Sequence, residues 1–136
     1  MKIKLFCLSI LLSANLFGAT ASWYGTFFNG RTTASGYVYN KHQLTCASNK
    51  HKFGTVLKVT NKANDKSVVV VVTDTGSFDR KYGRDIDLSQ EAFSRLDKIG
   101  KGLLDVNIEV LSTEKTFRYK HGNPIFNYNN YVKGVI

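Results

Sequence analysis

Two segments of the chain alternate hydrophobic and polar residues. Residues 57–60 and 106–110 each follow a period of two, with valine, leucine or isoleucine at every second position. This period predicts β-strands that bury one face and expose the other. Residues 68–72 are instead consecutive valines, and this β-branched run predicts a strand covered on both faces. We expect that strand to run through the centre of the domain.

Other short β-rich runs, separated by Gly, Asn and Asp, extend through the body of the chain. The clearest runs are residues 22–28, 55–61, 67–74 and 103–111. Several short strands of this kind predict a mainly β domain, either a sandwich or a barrel. We expect one such domain from residue 22 to residue 111.

One short helix is predicted between the strands. Ser89 is a suitable N-cap, residues 90–97 tolerate a helix, and Gly100 ends it. Ala92 and Leu96 lie on the same side of such a helix. This apolar side can pack against the β domain.

Residues 1–21 have the pattern of a secretory signal peptide. Two lysines precede an apolar run over residues 5–16, and the small residues Ala19 and Ala21 follow. The run is shorter than the roughly 20 residues of a membrane-spanning helix, so no transmembrane segment is predicted; a core helix is the alternative. We expect cleavage after Ala21 and an exported protein of the periplasm or cell envelope.

The two cysteines do not predict a disulfide. Cys7 lies in the predicted leader, without the sequence context of a lipid-anchor cysteine, so Cys46 would be left alone. A lone cysteine is either a nucleophile or a small buried hydrophobic residue, and the second interpretation is favoured.

The formal net charge is +9 at pH 7. An exported basic protein is expected to bind anionic wall polymers, acidic glycans or membrane surfaces rather than nucleic acid. The alternative is a solvated positive surface. Residues 112–136 form a basic, aromatic tail that can dock on the β domain, bind glycan or be disordered, and docking is favoured.

Asp74 is the candidate catalytic residue that the strand pattern singles out. It follows the valine run directly and precedes a turn at Thr75 and Gly76. A carboxylate at the end of a rigid buried strand is well placed for catalysis. The alternative is an aspartate that hydrogen-bonds its own turn.

Five motifs, in this order, resemble the rare lipoprotein A (RlpA-like) family. They are ASWYGTFFNGRTTASG, FGTVLKVTN, SVVVVVTDTG, GRDIDLS and NIEVL, and they cover residues 21–111. The resemblance implies a single six-stranded double-psi β-barrel, similar to barwin and expansin domains. It also implies activity on peptidoglycan glycan strands as an endolytic lytic transglycosylase. We expect a monomer that needs no cofactor.

The resemblance also implies where the active site lies. The family's acid falls on Tyr37, its histidine on Ser48 and its later aspartate on Asp74, so the aspartate alone is kept. The family's Arg and Pro beside the Asp-Gly turn are Thr75 and Ser77 here. Asp74 is therefore predicted to be catalytic, with Tyr37 and Ser48 positioning substrate.

A lytic transglycosylase can work with one acid–base group, whereas an ordinary glycoside hydrolase uses two carboxylates. We therefore predict a transglycosylase with a degenerate site. The alternative is a non-catalytic, expansin-like module that binds or loosens the wall.

Aromatic residues near the motifs are candidates for stacking on sugar rings. They are Trp23, Tyr24, Tyr37 and Tyr39. For the first two, burial in the barrel core is an equally good interpretation, while the last two are predicted to face the groove. His42 and His51 flank the missing histidine, but the histidine spacing does not fit a metal site, so no metal is predicted.

Overall fold

The computed structural model describes residues 16–76, 83–113, 118–120, 123–125 and 128–133. Within these ranges, six strands close into a barrel in the order β1-β5-β2-β4-β3-β6. The strands are β1 Leu16–Trp23, β2 Thr45–Ala47, β3 Val56–Asn61, β4 Ser67–Asp74, β5 Ile86–Leu88 and β6 Leu104–Ser112. The pairs β1-β5 and β2-β4 are parallel and the other pairs antiparallel. The predicted six-stranded double-psi β-barrel is confirmed.

Strand β4 is covered on both faces, as its valine run predicts. Val70 and Val72 point into the main core with Leu57 and Phe93, and all four are fully buried. Val71 belongs to a second buried cluster on the opposite face. This packing fixes the backbone that leads to Asp74.

Two short α-helices are present in the described part of the chain, where the sequence predicted one. The first, α1, spans Gln90–Ser94 and is shorter than predicted. The Ser89 hydroxyl caps it by accepting a hydrogen bond from the Ala92 amide at 3.2 Å. Single 3-10 turns occupy Thr26–Phe28 and Ile99–Lys101.

The second helix, α2, lies in the tail and spans Tyr128–Val132. Tyr131 and Val132 are buried against Val56 and Val71, and the Tyr128 hydroxyl donates to the Val69 carbonyl at 3.0 Å. Strands β7, Arg118–Lys120, and β8, Asn123–Ile125, form a hairpin before it. The helical part of the tail is therefore docked on the barrel.

The barrel begins earlier than the predicted boundary at residue 22. Residues 16–21 of β1 pair with β6, and Ala21 is fully buried. Cleavage after Ala21 would remove six of the eight residues of β1, so the described strand extends six residues before the predicted boundary. Ala19 and Ala21, the small residues of the predicted cleavage site, lie in β1. The predicted leader over residues 1–21 stays a prediction, and its residues 1–15 lie outside the described residues.

No helix within the described ranges has the length and apolar character needed to cross a membrane.

Candidate functional site

Asp74 is the last residue of β4, and its carboxylate is held by three hydrogen bonds. The Tyr24 hydroxyl donates to Oδ2 at 2.8 Å. The amides of Ala34 and Thr75 donate to Oδ1 at 2.9 and 2.8 Å. The Asp74 carbonyl also accepts from the Ser48 amide at 2.9 Å. Both carboxylate oxygens are thus acceptors in a fixed orientation, and the side chain is partly exposed.

The turn over residues 33–36 presents the Ala34 amide to Asp74. The Thr33 amide and hydroxyl both donate to the Tyr37 carbonyl, at 2.8 and 2.7 Å. The Gly36 amide donates to the Thr33 carbonyl at 2.9 Å, and Gly36 has a φ of 88°, which favours glycine. These hydrogen bonds hold the turn and set the direction of the Ala34 amide.

Asn49 fixes the backbone on the other side of Asp74. Its side-chain amide donates to the Gly76 carbonyl at 2.7 Å, and its side-chain oxygen accepts from the Gly76 amide at 3.0 Å. Strands β2 and β4 run parallel with Ala47 opposite Asp74, so the residues that follow each strand meet. The sequence gives no local signal for this contact, because its partners are far apart along the chain.

Tyr24 positions Asp74, a role that the sequence interpretation missed. Its ring packs against Tyr39 at 4.7 Å and edge-on against Phe28 at 5.8 Å between centroids. Burial, followed by the neighbouring Asp74 charge, raises the pKa of Tyr24 well above its usual value. The phenol therefore stays neutral and acts as a hydrogen-bond donor to Asp74.

Tyr39 is buried, whereas Trp23 is half-buried against the barrel core. Tyr39 is 3% exposed, and its hydroxyl accepts from the Gln90 amide at 3.1 Å. The Tyr39 ring packs against Tyr24 and also lines a cavity with Tyr37 and His42, and its predicted contact with substrate stays a prediction. Trp23 packs on the barrel core, with its indole nitrogen donating to the Ile99 carbonyl at 3.2 Å. Trp23 is half-buried, so stacking of its exposed part on a sugar stays a prediction.

Ser48 is buried and Tyr37 is half-buried. Ser48 is 3% exposed, and its hydroxyl accepts from the Lys50 amide at 3.2 Å, so the Ser48 side chain faces its own loop. Tyr37 packs on the cluster around Val71 and lines a cavity of about 470 Å³ with Arg95 and others. Burial raises the pKa of Tyr37 to about 12. The substrate-positioning roles of Tyr37 and Ser48 stay predictions.

The described hydrogen bonds of Asp74 involve no histidine. His42 lines the Tyr37 cavity, and His51 stacks on Phe17 at 5.7 Å. Cys46 is fully buried, and burial raises the pKa of its thiol, so it is a protonated core residue.

A polar cluster supports the barrel near β5. The Arg84 guanidinium lies 3.4 Å from the buried Asp87 carboxylate, and the Ser22 hydroxyl bonds the same carboxylate oxygen. These residues tie β1 to β5, as a structural pair would.

Comparison with known proteins gives two kinds of match. A family described as "Lytic transglycolase" matches residues 17–108. The endolytic peptidoglycan transglycosylase RlpA of Campylobacter jejuni is 41% identical over 113 residues, covering 81% of this chain and 40% of the relative. RlpA of Rickettsia typhi is 42% identical over 124 residues, covering 85% and 38%. The chain therefore spans about two fifths of the length of these curated relatives.

Solved structures share the fold at low sequence identity. The Streptomyces papain inhibitor has a TM-score of 0.56 and 21% identity, covering 69% of this chain and 92% of its own. A Clavibacter michiganensis expansin, solved as a mutant with cellohexaose, has a TM-score of 0.58 and 21% identity, covering 79% and 57%. With the family match and the curated relatives, these results show that the chain belongs to the RlpA-like lytic transglycolase family of double-psi β-barrels.

Proposed function

We propose that this protein is a cell-envelope lytic transglycosylase that cleaves peptidoglycan glycan strands, with Asp74 as its acid–base residue. The observation that carries the proposal is the Asp74 carboxylate, partly exposed and held by three hydrogen bonds. The family membership and the curated RlpA relatives support the substrate class.

The reaction requires one proton to move from one oxygen to another. The primary hydroxyl of the muramic sugar attacks its own anomeric carbon, and the bond from that carbon to the leaving glycosidic oxygen breaks. The hydroxyl loses a proton and the leaving oxygen gains one, so no water is consumed and an anhydromuramic end remains. One carboxylate can accept the first proton and deliver the second, and such catalysis contributes about a hundred- to ten-thousand-fold in rate.

The hydrogen bonds of Asp74 leave room for this transfer. A carboxylate has about four acceptor sites on its two oxygens. In the described structure Oδ1 accepts from two backbone amides, while Oδ2 accepts from the Tyr24 hydroxyl alone. The remaining site therefore lies on Oδ2, which is the atom we assign to the proton transfer. The amides and the neutral phenol orient it without competing for the proton.

A non-catalytic wall-binding module is the second candidate. The observation that favours it is the surroundings of Tyr37 and Ser48, which stand where the family has its acid and histidine. Tyr37 lines a cavity with His42 and Arg95, and Ser48 is buried. The two candidates differ in product, since an enzyme alone generates anhydromuramic ends.

The test is mass spectrometry of peptide-free wall glycan after incubation with the wild type and with Asp74→Asn. We expect anhydromuramic ends from the wild type, and Asp74→Asn should release them at least about a hundred-fold more slowly. Asp105→Asn is the matched control, because Asp105 is exposed on β6 and loses the same charge. Circular dichroism establishes that both variants are folded.

Wild-type rates from a folded Asp74→Asn variant would refute the role of Asp74. A wild type that is retained on the glycan more strongly than a basic control protein, yet makes no anhydromuramic ends, would establish the binding module instead. Retention on DNA but not on glycan would contradict both candidates.

A further inference from the structure

An exposed aromatic pair with an arginine stacked on it adjoins the candidate active site. Phe27 and Phe28 are 72% and 43% exposed, and their rings meet edge-to-face at 5.8 Å between centroids. The Arg31 guanidinium carbon lies 4.1 Å from the Phe27 ring centroid and 5.8 Å from that of Phe28. We refer to Phe27, Phe28 and Arg31 as the Phe-Arg platform.

The backbone beneath the platform is fixed by hydrogen bonds. The Phe28 amide donates to the Gly25 carbonyl, and the Arg31 amide donates to the Phe28 carbonyl, both at 3.1 Å. The Arg31 carbonyl accepts from the amide of the buried Tyr39 at 2.8 Å. Phe27 is thus held outward on an ordered backbone, where folding does not require a large apolar side chain. Rigid, exposed aromatic surface of this kind is typical of a binding site.

The platform is continuous with Asp74. The Phe28 ring contacts the Tyr24 ring, and the Tyr24 hydroxyl bonds Asp74 Oδ2. One aromatic ring therefore separates the platform from the carboxylate. A polymer that places a glycosidic bond at Asp74 would extend a neighbouring sugar over Phe27 and Phe28.

The chemistry of the platform selects a carboxylate-bearing sugar. Aromatic faces pack against the apolar C–H face of a pyranose ring, and guanidinium groups bind carboxylates through charge-assisted hydrogen bonds. Among the described residues Arg31 forms no ion pair, and its guanidinium lies over one face of the Phe27 ring. A sugar that stacks here would hold an acidic substituent next to Arg31.

We propose that the Phe-Arg platform is a subsite for a pyranose that carries a free carboxylate. In wall glycan this is the muramic sugar with its lactyl group, whereas chitin lacks that group. The identity of the polymer rests on the proposed function, but the binding itself does not depend on catalysis.

The test measures affinities by calorimetry for two tetrasaccharides of equal length, one from chitin and one from peptide-free wall glycan with free lactyl carboxylates. All variants are made in an Asp74→Asn background, so that the sugar is not consumed. We expect Phe27→Ala to weaken both affinities about ten-fold, since it removes the stacking surface. We expect Arg31→Gln to weaken binding of the wall tetrasaccharide by about three- to five-fold, because an exposed ion pair contributes only a small free energy of binding. Binding of the chitin tetrasaccharide should not change.

Leu103→Ala is the matched control, because Leu103 is an exposed apolar residue outside the platform, and it should bind both sugars like its parent. The subsite is overturned if Phe27→Ala leaves both affinities unchanged or if the parent binds neither sugar. Its carboxylate preference is overturned if Arg31→Gln weakens both sugars equally. The separate measurement of anhydromuramic ends on the Asp74-intact protein reports whether the proposed function fails on its own.

Discussion

Replacing Tyr24 by phenylalanine tests the support of Asp74 directly. The substitution removes the hydroxyl that donates to Asp74 Oδ2 at 2.8 Å and keeps the ring that packs against Tyr39 and Phe28. The Ala34 and Thr75 amides still hold Oδ1. The carboxylate therefore stays in place but gains rotational freedom at the oxygen assigned to proton transfer.

The structure sets the expected free energy of losing the hydrogen bond between Tyr24 and Asp74. A hydrogen bond to a charged group contributes about 1.5–3 kcal/mol, and partial exposure of Asp74 favours the lower end because water can replace the phenol. We expect a coupling energy of about 1–2 kcal/mol between the two side chains. Since about 1.4 kcal/mol corresponds to a ten-fold change in rate, Tyr24→Phe should lower kcat about ten-fold with little change in KM.

A double-mutant cycle measures this coupling. Urea unfolding of the wild type, Tyr24→Phe, Asp74→Ala and the double variant gives the coupling free energy, and the release of anhydromuramic ends by the wild type and Tyr24→Phe gives the change in rate. Tyr128→Phe is the control, because its hydroxyl bonds the Val69 carbonyl instead. A coupling below about 0.3 kcal/mol, or an unchanged kcat in Tyr24→Phe, would refute this account of Tyr24.

Two further predictions concern stability. Tyr131→Ala should lower the free energy of unfolding by about 2–3 kcal/mol, because Tyr131 is 7% exposed and packs in the cluster around Val56 and Val71. Urea unfolding measures this loss, and the exposed Leu103→Ala is the control, with an expected loss below about 0.5 kcal/mol. A loss that small for Tyr131→Ala would show that the tail contributes little to the stability of the barrel. Burial, followed by the nearby Lys50 charge, lowers the pKa of His51 below its ordinary 6.5. His51 therefore binds a proton more readily in the unfolded chain than in the folded one. As the pH falls below about 6.5, this difference makes the folded protein less stable. His51→Phe should flatten the dependence of unfolding free energy on pH between about pH 7 and pH 5, and parallel curves would contradict this.

Local patterns predicted the parts of the fold that depend on neighbours in sequence. Alternation identified β3 and β6, and the valine run identified β4, because side-chain period and burial are linked within one strand. The position of Asp74 at the end of β4 then made it the candidate catalytic residue. Ser89 was predicted as a cap because an N-cap bond closes within one turn of helix.

The contacts that complete the site depend on barrel closure and could not be predicted in this way. Tyr24 and Asp74 meet through strands that are distant in sequence, and Asn49 reaches Gly76 across the parallel β2-β4 pair. Tyr37 and Tyr39 are separated by one residue, yet Tyr37 is half-buried and Tyr39 is 3% exposed. Aromatic residues on a β-rich segment look alike in sequence whether they fill the core or face solvent.

The place of β6 in the barrel has a consequence for the order of folding. This strand lies between β1 and β3 and pairs with both, with Leu16 opposite Glu109 and Lys58 opposite the same residue. Until Leu104–Ser112 is available, β1 and β3 each keep a row of unsatisfied backbone amides and carbonyls. The partners of β1, strands β5 and β6, lie far along the chain. Each pairing therefore closes a large loop, and the entropy cost of this closure opposes pairing until the contacts have formed. Such high contact order slows folding, and the barrel cannot close until Leu104–Ser112 has joined β1 to β3.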